Sequence, residues 1–125
     1  MLISNFTIAD STKDSFVGDI YIENGQIKEV AASIDRAADV HINDEGRKWM
    51  VVPGFIDVHI HGAAGFDTMD ATLDALDGLA CALPSEGTTS FLATTMTQSN
   101  RAISQALVNA SLFQAEDNQA EMLGV

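Results

Sequence analysis

Two histidines, His59 and His61, are the residues of this chain best suited to chemistry, because they stand two positions apart in an apolar run. If residues 55–61 form a strand, alternate side chains share a face. One face then carries Asp57 with both histidines, and the other carries Ile56, Val58 and Ile60. Imidazole is a leading ligand for zinc, iron and other divalent metals, and a neighbouring carboxylate can orient such a ligand. The spacing therefore predicts part of a metal site.

A solvated edge strand is the alternative to a metal site, because a His-x-His pair alone also fits a polar strand face. The residues after position 61, however, follow the rhythm of a parallel sheet, whose strands are normally buried on both faces. A buried strand has no reason to hold three titratable groups on one side unless that side lines a site. This argument favours the metal site.

Two imidazoles do not complete a catalytic metal centre, which usually has three protein ligands, an open position and an acid–base group. We expect His41 to lie on the surface and Cys81 to pack as a small apolar residue in a helix. Asp67 and Glu86 are candidates by composition only. The glycine-bearing loop at 62–67 could approach a substrate closely, although a simple turn also explains it. No catalytic or substrate-binding residue is therefore assigned.

The first 53 residues mostly alternate between polar and apolar, which is typical of strands. Residues 19–23 and 26–30 flank Asn24-Gly25, the strongest short-range signal for a β-hairpin. Further strands are predicted at 2–9, 39–43 and 48–52, with a turn at 44–46 joining the last two. We expect an all-β layer of hairpins that ends at Pro53-Gly54.

Residues 54–125 alternate between strand and helix patterns. Strands are predicted at 55–61, at 89–94 and from 121, separated by one helix near 73–83, with Asp70 as its N-cap, and another from about 100. This βαβαβ order is typical of a parallel sheet. Because a (β/α)8 barrel needs roughly 250 residues, we expect the first two and a half units of such a barrel, with a small complete α/β domain as the alternative.

The composition excludes several classes of function. Of the 125 residues, 18 are acidic and 6 are basic, a net charge of −12, so neither nucleic acid nor an anionic membrane surface is an expected partner. No apolar run is long enough to span a bilayer, and no signal-peptide pattern is present. The single cysteine excludes an intramolecular disulfide. We therefore expect a globular cytoplasmic protein.

Three stretches of the chain resemble a known family. Residues 53–62, PGFIDVHIHG, resemble the first barrel strand of the amidohydrolase superfamily. Residues 65–70 (GFDTMD) and 86–97 (EGTTSFLATTMT) are similar to N-acetylglucosamine-6-phosphate deacetylases, and the resemblance covers nearly the whole chain. It implies that 1–53 are half of a small β-sandwich, which a C-terminal segment completes, and that 54–125 are the start of a TIM-type barrel.

The resemblance also implies a reaction: hydrolysis of the N-acetyl group of N-acetylglucosamine 6-phosphate to acetate and glucosamine 6-phosphate, assisted by one or two divalent ions, zinc or iron. His59 and His61 match the family's His-x-His, which helps to hold a metal in members with two ions. Other members replace the pair and hold one ion through a Glu and two later histidines. Those ligands, the catalytic Asp and the residues that grip the sugar phosphate would all follow Val125.

The chain by itself is therefore expected to be inactive, and to associate with a copy of itself or with a complementing C-terminal segment that covers its strand edges. Two alternatives stay open. The chain could instead belong to another amidohydrolase, such as a cyclic amide hydrolase of the dihydroorotase kind, which would use a metal in the same way but act on a different substrate. A non-catalytic self-associating module would bind metal only weakly and lose it on dialysis.

Overall fold

The computed structural model describes residues 1–9, 12 and 14–125. Within them the chain forms two compact units, Met1–Pro53 and Gly54–Val125, and every sheet lies within one unit or the other. In these described residues, no helix is long and apolar enough to cross a membrane.

The first unit is built on one five-stranded sheet. Its strands are β1 (Leu2–Ile8), β2 (Phe16–Glu23), β3 (Gln26–Ala31), β4 (His41–Asn43) and β5 (Met50–Val51). β2 pairs in antiparallel fashion with both β1 and β3. The hairpin that Asn24-Gly25 predicts is confirmed between β2 and β3, and both residues have positive φ, 52° and 71°, as a two-residue type I′ turn requires.

The predicted hairpin across residues 39–52 is wrong. Among the described residues, β4 and β5 each lie parallel to β1, one after the other, and are not paired with each other. The reason is the buried Asp44, whose carboxylate accepts hydrogen bonds from the backbone N–H groups of Lys48 and Trp49, both at 2.8 Å. The carboxylate holds a loop that returns the chain to the same edge of β1 without reversing its direction.

The second unit has the βαβαβ order that the sequence predicts. β6 (Phe55–Ile60) is followed by a short hairpin, β7 (Gly62–Ala63) with β8 (Phe66–Asp67), then by a 3-10 turn at Thr68–Asp70 and by helix α1 (Leu73–Ala82). After a second 3-10 turn at Leu83–Glu86 come β9 (Thr88–Ala93), α2 (Asn100–Leu112) and β10 (Glu121–Gly124). Strands β10, β9 and β6, in that order, form a parallel sheet. The prediction of a mixed α/β fold is confirmed.

The core of the second unit joins α1 to the parallel sheet. Its buried cluster consists of Leu79, Ala80, Leu83, Phe91, Ala93 and Ala120. The apolar positions of α1 lie three and four residues apart, so they form one stripe, and this stripe faces the buried side chains of β9. The core fixes β9, and with it the neighbouring β6, which contains His59 and leads directly to His61.

Helix α1 begins two residues later than the position of the predicted cap implies. Thr72 is its N-cap, and the Oγ1 of Thr72 accepts a hydrogen bond from the N–H of Ala75 at 3.2 Å. Asp70, predicted as the cap, instead ends the preceding 3-10 turn. The side-chain oxygens of Thr and Asp can both accept this bond, so composition alone does not choose between the two.

The expected burial of Cys81 is wrong, because its side chain is exposed. The buried stripe of α1 runs through Leu79, Ala80 and Leu83. Successive residues of a helix are about 100° apart around its axis, so the side chain of Cys81 points away from this buried stripe and towards solvent. Its Sγ accepts a hydrogen bond from Nε2 of Gln119 at 3.3 Å.

Candidate metal centre

The two histidines lie at the carboxyl end of the parallel sheet, His59 within β6 and His61 directly after it. Their ring centroids are 5.1 Å apart and the rings are perpendicular. Two imidazoles that ligate one tetrahedral ion through nitrogens at about 2.0–2.1 Å have centroids roughly 5 Å apart. The separation of the two rings is therefore compatible with one shared ion, and it is also usual for an edge-to-face aromatic contact.

His61 is held by backbone groups of two neighbouring segments. Its Nδ1 lies 2.9 Å from the carbonyl oxygen of Thr94, directly after β9. Its own carbonyl oxygen accepts a hydrogen bond of 2.8 Å from the N–H of Thr68. The ring of His59, by contrast, is exposed and makes no hydrogen bond within the part of the chain that the structure describes. A ring nitrogen bonded to a backbone carbonyl is the usual second contact of a metal-ligating histidine, so His61 has the more strongly fixed position.

The strand alternation that predicts one apolar face is interrupted in β6. Between Asp57 and Ile60, two residues of β6 lie opposite a single residue of β9, Leu92. Such an irregularity moves the side chains beyond it to the other face of the sheet. Ile60 packs against the core, whereas Ile56 and Val58 are 59% and 67% exposed. The prediction that Ile56, Val58 and Ile60 share one face of the strand is therefore wrong, because Ile56 pairs with Ser90 and Ile60 with Ala93.

Asp57, expected to orient a metal ligand, contacts the main chain. Its Oδ1 accepts a hydrogen bond from the backbone N–H of His59 at 3.0 Å, so it fixes the strand between itself and His59. Among the described residues, no three His, Cys, Asp or Glu side chains lie close enough together to hold an ion. A metal site at His59 and His61 therefore stays a prediction.

Of the two acidic candidates chosen by composition, Asp67 lines the same open cavity as His61, whereas Glu86 lies at the other end of the sheet. Asp67 caps the 3-10 turn: its Oδ1 accepts from the N–H of Met69 at 2.7 Å, and its own N–H donates to Asp70 at 2.9 Å. Glu86 precedes β9, beside the hydrogen bond from the N–H of Phe55 to the Gly87 carbonyl oxygen. That is the amino end of the sheet, and six residues of strand span about 20 Å, so Glu86 is remote from His61.

The loop at 62–67 is a tight hairpin with two residues in its turn, Ala64 and Gly65, at φ values of 52° and 87°. It borders an open cavity of about 520 Å³ that His61 also lines. A Cβ on Gly62 would clash with the backbone carbonyl oxygen of Phe66. The first glycine of the loop is therefore required by the close approach of the two short strands.

Gly62→Ala is expected to destabilise the second unit by about 1–3 kcal/mol, the usual cost of inserting a group where backbone cannot move away. Urea denaturation followed by far-UV circular dichroism measures this. The control is Ala64→Gly in the same hairpin: it removes a side chain from a left-handed residue, so stability should hold or rise by up to about 1 kcal/mol. Equal stability of Gly62→Ala and the parent chain would contradict the close approach.

The sequence interpretation missed Thr94 and Thr68, which hold His61. Both act through backbone atoms, which every residue type carries, so no side-chain signal could reveal them. His41 is exposed in β4 of the first unit, as expected, with its Nε2 2.9 Å from Oγ of Ser4.

The chain has relatives of known name, although no family model matches it. Over its whole length it is 40% identical to the N-acetylglucosamine-6-phosphate deacetylase of Bacillus subtilis (strain 168), covering 33% of that enzyme. It is 37% identical to the enzyme of the same name from Lysinibacillus sphaericus, again over its whole length and covering 32%. A dihydroorotase of Clostridium botulinum is 41% identical over only 49% of this chain and 15% of its own length. The chain thus spans about a third of the length of the two deacetylases.

Solved structures agree with this relationship. The N-acetylglucosamine-6-phosphate deacetylase of Thermotoga maritima matches with a TM-score of 0.69 and 34% identity, over 89% of this chain and 27% of that one. A mutant of the Mycobacterium smegmatis enzyme, in complex with N-acetyl-D-glucosamine-6-phosphate, matches with a TM-score of 0.71 and 26% identity, over 87% of this chain and 28% of that one. The resemblance indicated by the motifs is therefore confirmed: in sequence and in fold, this chain is similar to the N-terminal part of the N-acetylglucosamine-6-phosphate deacetylases, which are hydrolases.

Proposed function

We propose that this chain is the N-terminal part of a cytoplasmic N-acetylglucosamine-6-phosphate deacetylase, which hydrolyses the N-acetyl amide to glucosamine 6-phosphate and acetate. The observation that carries this proposal is the identity of 37–40% with two such enzymes over the whole chain. The similarity to a dihydroorotase covers half of the chain, so it supports amide hydrolysis as a shared chemistry and gives less support to a cyclic amide substrate.

We infer that a divalent ion, zinc or iron, is held in part by His59 and His61, either alone or as one of two ions. When bound, such an ion supplies Lewis-acid polarisation of the amide carbonyl and lowers the pKa of water. The chain's own residues fit this role in two respects. The ring separation of 5.1 Å suits a shared ion, and neutral imidazole nitrogens are preferred ligands of zinc and iron.

The exposed surfaces of the second unit support the proposal that it is the start of a (β/α)8 barrel. β6 and β10 are the outer strands of its parallel sheet, and Ile56, Val58 and Leu123 on these strands are more than half exposed. In a barrel, neighbouring strands remove such edges. We propose that residues 1–53 are likewise half of a β-sandwich. A C-terminal segment would complete both the barrel and the β-sandwich. Alternatively, a second copy of this chain in a homo-oligomer would cover the exposed strands.

A chimaera tests the proposed activity. This chain replaces the matched first third of the Bacillus subtilis relative, and release of glucosamine 6-phosphate is assayed with the metal-loaded protein. The chimaera should deacetylate N-acetylglucosamine 6-phosphate and leave dihydroorotate unchanged, and the 125-residue chain alone should do neither. A folded chimaera that hydrolyses dihydroorotate and not the sugar phosphate would contradict the proposed substrate. Activity of the chain alone would contradict the need for the remaining segment.

A further inference from the structure

The hydrogen bond between His61 and Thr94 determines which nitrogen of the His61 ring carries the proton. A backbone carbonyl oxygen can only accept a hydrogen bond, so the 2.9 Å contact with Nδ1 of His61 requires the proton to be on Nδ1. In a neutral imidazole the other nitrogen, Nε2, then carries the lone pair. A histidine side chain in water prefers the opposite tautomer, with the proton on Nε2.

The carbonyl that accepts this bond is itself fixed. The N–H of Thr94 donates to the carbonyl oxygen of Ile60 at 2.8 Å, and the N–H of Thr68 donates to the carbonyl oxygen of His61 at 2.8 Å. Residues 60 and 61 are thus tied to the end of β9 on one side and to the 3-10 turn on the other. The acceptor stays in place because it belongs to this backbone arrangement and not to a movable side chain.

We propose that the Thr94 carbonyl fixes His61 in the Nδ1–H tautomer and thereby presents its Nε2 lone pair for a ligand, which makes His61 the anchored member of the pair and His59 the adjustable one. The tautomer follows from the hydrogen bond alone. The identity of the ligand as a divalent metal ion rests on the proposed function. Thr94 acts here as a positioning residue, through its main chain.

The test is the tautomer of each histidine in the metal-free 125-residue chain, measured by long-range ¹H–¹⁵N correlation spectra in alkaline buffer, where each ring carries one proton. The ratio of Nδ1–H to Nε2–H should be higher for His61 than for His59 by roughly 2- to 13-fold, the effect of one ordinary hydrogen bond. Equal ratios in His59 and His61, or a lower ratio in His61, would overturn the proposal.

Two variants at position 94 separate the main chain from the side chain. Thr94→Val keeps both backbone groups and should preserve the tautomer ratio of His61. Thr94→Pro removes the N–H that binds the Ile60 carbonyl and should move the ratio towards that of His59. If folded Thr94→Pro keeps the parent ratio, the fixed carbonyl is not the cause; if Thr94→Pro does not fold, the parent spectrum decides alone.

Addition of Zn²⁺ to the same sample distinguishes this proposal from the proposed function. Zn²⁺ should shift the Nε2 resonance of His61, and a shift confined to its Nδ1 would overturn the proposal. If neither histidine responds to Zn²⁺ while the Nδ1–H tautomer is observed, the tautomer assignment stands and binding of Zn²⁺ by these two imidazoles alone is contradicted.

Discussion

Replacing His59 and His61 together by alanine is expected to abolish the specific Zn²⁺ binding of the chain, since the two rings are the only imidazoles placed 5.1 Å apart at one end of the described parallel sheet. Loss of a contact that merely supports a ligand costs about 10–100-fold in metal affinity, so loss of both ligands should exceed this. Isothermal titration with Zn²⁺ measures the change, and the parent chain should bind weakly because its centre is incomplete.

The matched control for the histidine variants is His41→Ala. His41 is the third histidine of the chain, lies in the first unit and contacts Ser4. Its removal lowers the number of imidazoles without touching the pair, so Zn²⁺ affinity should change less than twofold, about 0.4 kcal/mol. If His41→Ala reduces Zn²⁺ binding as much as the double variant does, binding is a general property of surface imidazoles and the proposed centre is wrong.

Phe91→Ala is expected to have the largest effect on stability, a loss of about 3–5 kcal/mol in the free energy of unfolding of the second unit. Phe91 is fully buried between α1 and the parallel sheet, so truncation leaves a cavity that the surrounding Leu79 and Leu83 cannot fill. Urea denaturation followed by the helical signal of circular dichroism reports on this unit, because both α-helices of the described chain lie in it.

Phe55→Ala is the control for Phe91→Ala, because it removes the same side chain from a neighbouring strand. Phe55 is 62% exposed, and truncation of exposed side chains usually changes stability by less than about 0.5 kcal/mol. A difference between the two variants of less than about 1 kcal/mol would be incompatible with a core organised around Phe91.

Features that depend on neighbouring residues in the sequence were predictable. The hairpin at Asn24-Gly25 forms because two adjacent residues that tolerate positive φ produce a type I′ turn without help from the rest of the chain. The apolar stripe of α1 follows from spacing at three and four residues. The placement of His59 and His61 at the carboxyl end of a parallel strand was predictable for the same reason, since they follow an apolar run that leads into a helix pattern.

Features that depend on distant partners were not predictable. Residues 39–43 and 48–52 both read as strands, but their common pairing with β1 depends on the buried carboxylate of Asp44. The shift of register in β6 depends on its match with β9, a strand distant in sequence, and it places Ile56 and Ile60 on different faces. The Thr94 carbonyl that binds His61 is a backbone group. Because every residue type has this group, the sequence does not reveal its role.

The metal content of the chimaera tests the central claim most directly, namely that this chain supplies two metal ligands to a sugar-phosphate deacetylase. Elemental analysis after dialysis is compared for the chimaera itself, for its His59→Ala/His61→Ala variant and for its His41→Ala variant. The account predicts that the double variant retains fewer equivalents of zinc or iron and loses at least about tenfold in kcat/KM, about 1.4 kcal/mol, while His41→Ala matches the parent in both. Full metal content and full activity in the double variant would contradict the claim.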